Sequence, residues 1–212
     1  MLSHNPDIVI IATGGLPDIG GFPGAELCQS VWDTIGAPIG AVKSAIVFDD
    51  LGLMNAATCC ETLVQAGVAT QLITSQPSFA VDASKLERIV QHKRLYEKDV
   101  DVVLDQRLMK VIRNGQSFEV TFSNTLTQAE ETYVTDLVIV EAGTLPMEDL
   151  FDDLKPASVN AGVTNLDALV ACASQNWRAS QGKFELYRVG DAVTSRDIHT
   201  AIYDVNRLCA QL

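Results

Sequence analysis

Two stretches decide the fold: DIVIIATGGLP at residues 7–17 and DLVIVEAGTLP at residues 136–146. Aligned without gaps, six of the eleven positions are identical: the Asp, a Val, an Ile, a Gly, a Leu and the Pro. Each is a continuous run of branched apolar residues stopped by glycine. That is the pattern of a strand covered on both faces, as in a parallel sheet. Chance easily produces a second apolar strand, but less easily the Asp before it and G-x-L-P after it. The two copies are read as one device used twice, the last strand of a nucleotide-binding unit and its exit turn. Repetition at that distance implies two related domains.

The unit closed by the second copy has a visible beginning. KSAIVFDD (43–50) reads as a strand, NAATCCETLVQAG (55–67) as a helix ended by Gly67, and VATQLITS (68–75) as the next strand. Together they make a βαβ unit with a right-handed crossover. An amphipathic helix follows at 82–99, with Leu86, Ile89, Val90, Lys93 and Tyr96 or Glu97 along one stripe. Residues 100–105 read as a short strand. Segments 107–115 and 116–124 flank Asn114-Gly115, a hairpin signal. The first copy has only six residues ahead of it, so the start of its unit lies outside the sequence. The chain is therefore expected to be the tail of a longer protein, beginning inside a domain. Residues 26–36 read as a short helix and 37–40 as a linker. A strand at 184–189 and a closing helix at 196–212 are expected to return and pack with residues 7–13. The helix carries Ile198, Ala201, Ile202, Val205, Leu208 and Cys209 as its apolar stripe. The fold class is α/β. An inserted Rossmann-like domain spans 43–143, and the closing part of a split domain spans 1–36 and 147–212.

Composition narrows the function classes. The 212 residues are 47% hydrophobic and 20% charged, with a formal net charge of −12. No Lys/Arg run offers a phosphate track, which argues against nucleic acid. No apolar run reaches the roughly 20 residues of a membrane span, and the first residues lack a signal-peptide pattern. Five cysteines, none in CxxC spacing, argue against a zinc site and a disulfide framework and for a reducing, cytoplasmic setting. Cys59 and Cys60, adjacent in a helical pattern, read as small core residues. His4, His92 and His199 are scattered.

VIIATGG near the start, IVFDDLG at the inner strand and LYRVGDAVTSRDIHTAIYDVNRL near the end resemble the NADH:flavin oxidoreductase family, which includes trimethylamine and histamine dehydrogenases and 2,4-dienoyl-CoA reductase. The N-methylproline or dimethylglycine demethylase-like members are the nearest in character. The resemblance covers essentially the whole chain. It implies a glutathione-reductase-type pair of domains, the split one holding FAD or ADP and the inserted one of NAD(P)-binding type. It also implies an N-terminal barrel with FMN and a 4Fe-4S cluster, both outside this sequence, as the partner of this region. The implied substrate is a small N-methylated amine or an enoyl compound, and the chain alone is expected to be inactive. Self-association stays open.

Candidate cofactor-binding residues come from the same motifs. Ala12, Thr13, Gly14 and Gly15 match the family's ATG turn, where glycine lets a backbone approach a nucleotide; a plain strand-exit turn is the alternative. Gly190, Asp191 and Ala192 match its GDA motif, which in the family lies near the flavin's ribityl and pyrophosphate. The alternative is that Asp191 simply caps a helix. Arg196 and His199, just beyond, read first as solvated or capping charges. In the inserted domain a nicotinamide dinucleotide needs G-x-G-x-x-G/A between strand and helix. The turn here is Asp49-Asp50-Leu51-Gly52-Leu53-Met54-Asn55-Ala56, in which Gly52 stands alone and two carboxylates precede it. Ile73-Thr74-Ser75 offers neither an acid for a ribose nor an arginine for a 2′-phosphate. The expected NAD(P)H site is thus degraded. A non-catalytic interaction module with a decayed Rossmann-like fold is the alternative function. No catalytic or metal constellation stands out.

Overall fold

The apolar runs become strands and the Gly-stopped segments become turns in a computed structural model that describes residues 2–177 and 182–210. In chain order the strands are β1 (Ile8–Ile11), β2 (Gly15–Pro17), β3 (Gln29–Ser30), β4 (Ser44–Asp49), β5 (Ala69–Thr74), β6 (Asp101–Val103), β7 (Gln106–Asn114), β8 (Ser117–Asn124), β9 (Glu130–Thr135), β10 (Leu137–Glu141), β11 (Thr144–Pro146) and β12 (Glu185–Arg188). The helices are α1 (Val31–Ile35), α2 (Met54–Gln65), α3 (Lys85–Glu97), α4 (Asp149–Leu154), α5 (Leu166–Val170) and α6 (Ile198–Cys209). The chain divides into an outer unit, Met1–Leu16 with Thr144–Leu212, and an inner unit, Pro17–Gly143.

The inner unit is built on a parallel sheet of order β3-β10-β4-β5-β6. Its central strands carry continuous apolar runs, Ala45 to Phe48 in β4 and Leu137 to Val140 in β10, because both faces are covered. Ala45, Val47, Leu72 and Ile139 face the helical layer, against Ala56, Cys60 and Leu63 of α2 and Leu95 of α3. Ile46, Phe48, Ile73, Val138 and Val140 face the other way, against Val111, Val120 and Phe122 of the antiparallel sheet β7-β8-β9. Cys59 and Cys60 are both wholly buried.

Three expectations change. Residues 17–36 belong to the inner unit rather than to the split one: β3 pairs with β10 (Ile139↔Gln29, Val140↔Ser30), and Ser30 with Asp33 forms the capping box of a much shorter helix α1. The hairpin turn is Gly115-Gln116, one residue later than Asn114-Gly115, since Asn114 still pairs with Ser117; Gly115 takes the positive φ (+63°). On α3 the covered line is Gln91 and Leu95, while Leu86, Ile89, Val90 and Tyr96 are exposed. His92 stacks on Phe79 at 3.9 Å between ring centres and 16° between planes. These neighbours cover a narrower i, i+4 line than the apolar stripe.

In the outer unit β1 and β12 form a two-stranded parallel sheet, in register from Ile8↔Glu185 to Ile11↔Arg188. The N-terminal strand and the strand ending at Arg188 thus share one sheet, as expected. Phe151 and Leu154 of α4 pack on Val9, Ile11 and Leu186, while Tyr187, Val189 and Leu208 form a second cluster with Ile8 and Ile10. Asn160 acts as a surrogate strand neighbour for Leu186, accepting from its N–H (2.9 Å) and donating to its carbonyl (2.8 Å). The closing helix buries less than its sequence implies. Of its expected stripe only Leu208 is buried; Ile198, Ile202 and Cys209 are exposed.

The repeat is visible in the backbone. Gly14 and its equivalent Gly143 both adopt positive φ (+73° and +99°). Gly14 accepts from the Met147 N–H (3.0 Å), and Gly143 accepts from the Asp18 N–H (2.9 Å), which are equivalent bonds. The two L-P tails become the paired strands β2 and β11.

One glycine of the inner unit is sterically obligatory. Gly24 has φ +89°, and a Cβ there would lie 1.9 Å from the Val111 carbonyl oxygen, a backbone atom. Gly24→Ala is expected to destabilise the inner unit by more than about 2 kcal/mol through left-handed strain plus overlap. Gly40→Ala, where a Cβ meets nothing within 4 Å, is expected to stay within about 0.5 kcal/mol. Urea denaturation of both variants reads the contrast; equal effects would contradict it.

Candidate functional site

Open parallel α/β sheets bind ligands beyond the carboxyl ends of their strands. In the inner unit β4 ends at Asp49 and β10 at Glu141, and these two residues are register partners on adjacent strands. The turn after β4 leads to α2, whose N-cap, Leu53, supplies no side-chain hydrogen bond. Asp49 folds back to fill that need. Its Oδ1 accepts from the backbone N–H groups of Leu51 (3.2 Å), Gly52 (2.8 Å) and Leu53 (3.1 Å). The next N–H, of Met54, donates to Asp82 Oδ1 at 2.8 Å. Four consecutive amides at the start of a helix, a natural cradle for a phosphate, each have a carboxylate acceptor.

Asp49 is fully buried and Glu141 is 4% exposed. Glu141 accepts from the Gly143 N–H at 3.0 Å and from Asn55. Asp49 Oδ2 and Glu141 Oε2 have no hydrogen-bond partner among the described residues. Burial pushes the Asp49 carboxyl up to about 7 against the pull of its three amide bonds, with Glu141 adding a like charge. Burial also raises Glu141, with Asp82 contributing. Two adjacent buried carboxyls, each with an unsatisfied oxygen, retain a proton near neutrality that an exposed pair would lose.

The expected site residues fall into three groups. Ala12, Gly14, Gly190 and Asp191 line a groove of about 430 Å³ in the outer unit, walled by Ile198, Ala201 and Ile202 of α6. A Cβ at Gly14 would meet nothing within 4 Å, so the backbone is open there. Gly190 (φ +61°) brings its turn close to α6, a Cβ lying 3.5 Å from that of Ala201. Thr13, Gly15 and Ala192 make contacts within the scaffold. The Thr13 hydroxyl donates to the Met147 carbonyl (3.0 Å), a Cβ on Gly15 would fall 2.6 Å from the Leu145 carbonyl oxygen, and Ala192 is buried in the core. Gly52 stands in the inner unit with its N–H turned onto Asp49.

Asp197, not Asp191, caps α6, accepting from the Thr200 N–H at 2.7 Å, and that bond holds its carboxyl below the usual range. Arg196 pairs with Asp204, and His199 is fully exposed. The groove is lined mostly by apolar residues, with Asp191, Arg196, Asp197 and Asn206 as its polar members. Asp82 and Glu141 escaped the sequence reading. Asp82 reaches Met54 from 28 residues along the chain. Glu141 did leave a signal, since it stands where the first copy of the repeat has Ala12.

No family model matches the sequence. Over 217 aligned residues the chain is 41% identical to the multifunctional alkene reductase/demethylase OYE of Caballeronia cordobensis, covering 100% of this chain and 32% of that protein. The chain is homologous to part of the NADH:flavin oxidoreductase family. It is 35% identical to a probable N-methylproline demethylase of Rhizobium meliloti, over 97% of this chain and 31% of the relative. It thus spans about a third of the length of these curated relatives. Histamine dehydrogenase from Rhizobium sp. 4-9 shares the fold with a TM-score of 0.75 at 22% identity, over 99% of this chain and 31% of that one.

The Asp49 carboxyl sets a pH dependence. Its ordinary value is 3.8 and its folded value about 7. Between these pH values the folded chain keeps a proton that the unfolded chain has lost, so its contribution to stability falls as pH rises through that window and is level outside it. Asp49→Asn keeps the acceptor for the three amides and removes the charge. Urea midpoints measured from pH 4 to 8 are expected to diverge in the variant's favour across the window, by on the order of 1–3 kcal/mol at pH 8. A wild-type-to-variant difference that is constant with pH would contradict this.

Proposed function

We propose that the chain is the C-terminal, dinucleotide-binding-type portion of an FMN- and iron–sulfur-containing flavin oxidoreductase that acts on a small N-methylated amine or an enoyl substrate. The single observation that carries this reading is 41% and 35% identity, over essentially the whole chain, to relatives named for alkene reduction and for demethylation. The outer groove supports it: Ala12, Gly14, Gly190 and Asp191 suit the hydroxylated part of FAD, or the ribose of ADP, with Asp191 accepting from the hydroxyls. Flavin supplies hydride and electron transfer when bound. The residues described hold a nucleotide and orient it; the FMN barrel and the cluster belong to the remainder of the parent, which is the chain's partner. No described helix is long and apolar enough to cross a membrane, in keeping with a cytoplasmic enzyme.

A second reading, a non-catalytic interaction module, draws on one specific observation, the filled cradle of the inner unit. Two measurements separate the readings. The 212-residue chain is expected to turn over neither N-methylproline nor an enone, whereas the product of the full coding region does so and carries flavin. In that full product Asp191→Ala is expected to lower FAD or ADP affinity about tenfold, the loss of a hydrogen bond to a charged group. Turnover by the 212-residue chain alone, or a full product free of flavin, would contradict the proposal.

A further inference from the structure

The start of α2 in the inner unit is where a Rossmann-like domain receives the pyrophosphate of its dinucleotide. We infer that Asp49 and Asp82 are resident anions in that cradle, and that through them the inner unit refuses NADH and NADPH. This goes beyond the reading of the outer groove and does not depend on it.

Three independent features of the inner unit support the inference. The donors are already engaged: Leu51, Gly52 and Leu53 donate to one Asp49 oxygen, and Met54 donates to Asp82. A phosphate would have to displace carboxylates that arrive from two separate segments, one of them fully buried at the end of β4. An ionised carboxylate there also repels a phosphate. Each like-charge pair at 4 Å costs about 1 kcal/mol even in bulk water, and more in a cleft. Finally, the turn is covered. Val81 N–H donates to the Gly52 carbonyl (2.8 Å), and Ser75 Oγ and Gln76 Nε2 both donate to the Asp50 carbonyl (2.7 and 3.0 Å). A Cβ on Gly52 would already lie 3.1 Å from the Ser78 carbonyl oxygen. The segment after β5, which in a dinucleotide site would approach the ribose, is tied down onto the turn.

The cradle was thus not merely stripped of glycines; its function as an anion receptor is taken over by the chain's own side chains. Removing the resident anions should return it. The test follows the backbone amide signals of residues 51–54 by NMR while inorganic pyrophosphate, NADH and NADPH are added in turn to the 212-residue chain. Those amides report the inner cradle alone, whatever binds elsewhere. In the wild type they are expected to stay still into the millimolar range for all three. In Asp49→Ser/Asp82→Ala, pyrophosphate is expected to shift them with at least tenfold higher affinity. Asp82→Ala, at an exposed position, guards against loss of fold and is expected to give a smaller gain, about threefold. Saturable movement of the wild-type amides with NADH or NADPH would overturn the inference. So would a folded double variant, or the folded single variant, no more responsive than wild type.

Discussion

The inner unit turns on one carboxylate accepting three backbone amides. Asp49 ends the central strand, and its side chain does for the following turn what a bound anion or a capping serine does elsewhere. Without it Leu51, Gly52 and Leu53 would leave their N–H groups unmet at a helix start that has no side-chain cap of its own. Burying a carboxylate is costly, and the three charge-assisted bonds offset only part of that. The remainder is visible as a raised affinity for a proton, shared with Glu141 on the neighbouring strand. Strand register, turn and helix start are therefore coupled: the register that aligns Asp49 with Glu141 also aims Asp49 at the turn.

The same backbone device serves opposite ends in the two units. Both copies of the repeat end in a left-handed glycine, Gly14 or Gly143, followed by a leucine and a proline in a short strand. In the outer unit the position before the turn is Ala12, and the space beyond it is a groove bordered by Gly190 and Asp191. In the inner unit the equivalent position is Glu141, and the adjacent strand contributes Asp49. Small residues leave a groove at the strand ends of one unit. Acidic residues close those of the other.

Much of this was legible in the sequence where the signal is local. Continuous apolar runs stopped by glycine gave the parallel strands, and Gly67 marked the end of α2. Of the two acids before Gly52, Asp49 accepts the turn's amides through its carboxylate, while Asp50 accepts from Ser75 and Gln76 through its backbone carbonyl. Burial was less legible because it depends on what lies opposite. The apolar residues of α3 outnumber those its neighbours cover, so Leu86 and Ile89 lie exposed while Gln91 is buried. The stripe of α6 lines a groove instead of a core. Residues 17–36 went to the inner unit because β3 found an open edge on β10, a choice that no local pattern encodes. Asp82 was invisible for the same reason: its role exists only once the segment after β5 is laid across the start of α2.

The most direct measurement is a pH titration of the amide signals of Leu51, Gly52 and Leu53 by NMR. If one buried carboxylate holds all three, their proton shifts move together with a single midpoint near 7, and the movement vanishes in Asp49→Asn. Independent titrations, or a common midpoint in the ordinary aspartate range near 3.8, would mean that Asp49 is solvated and that the cradle stands open.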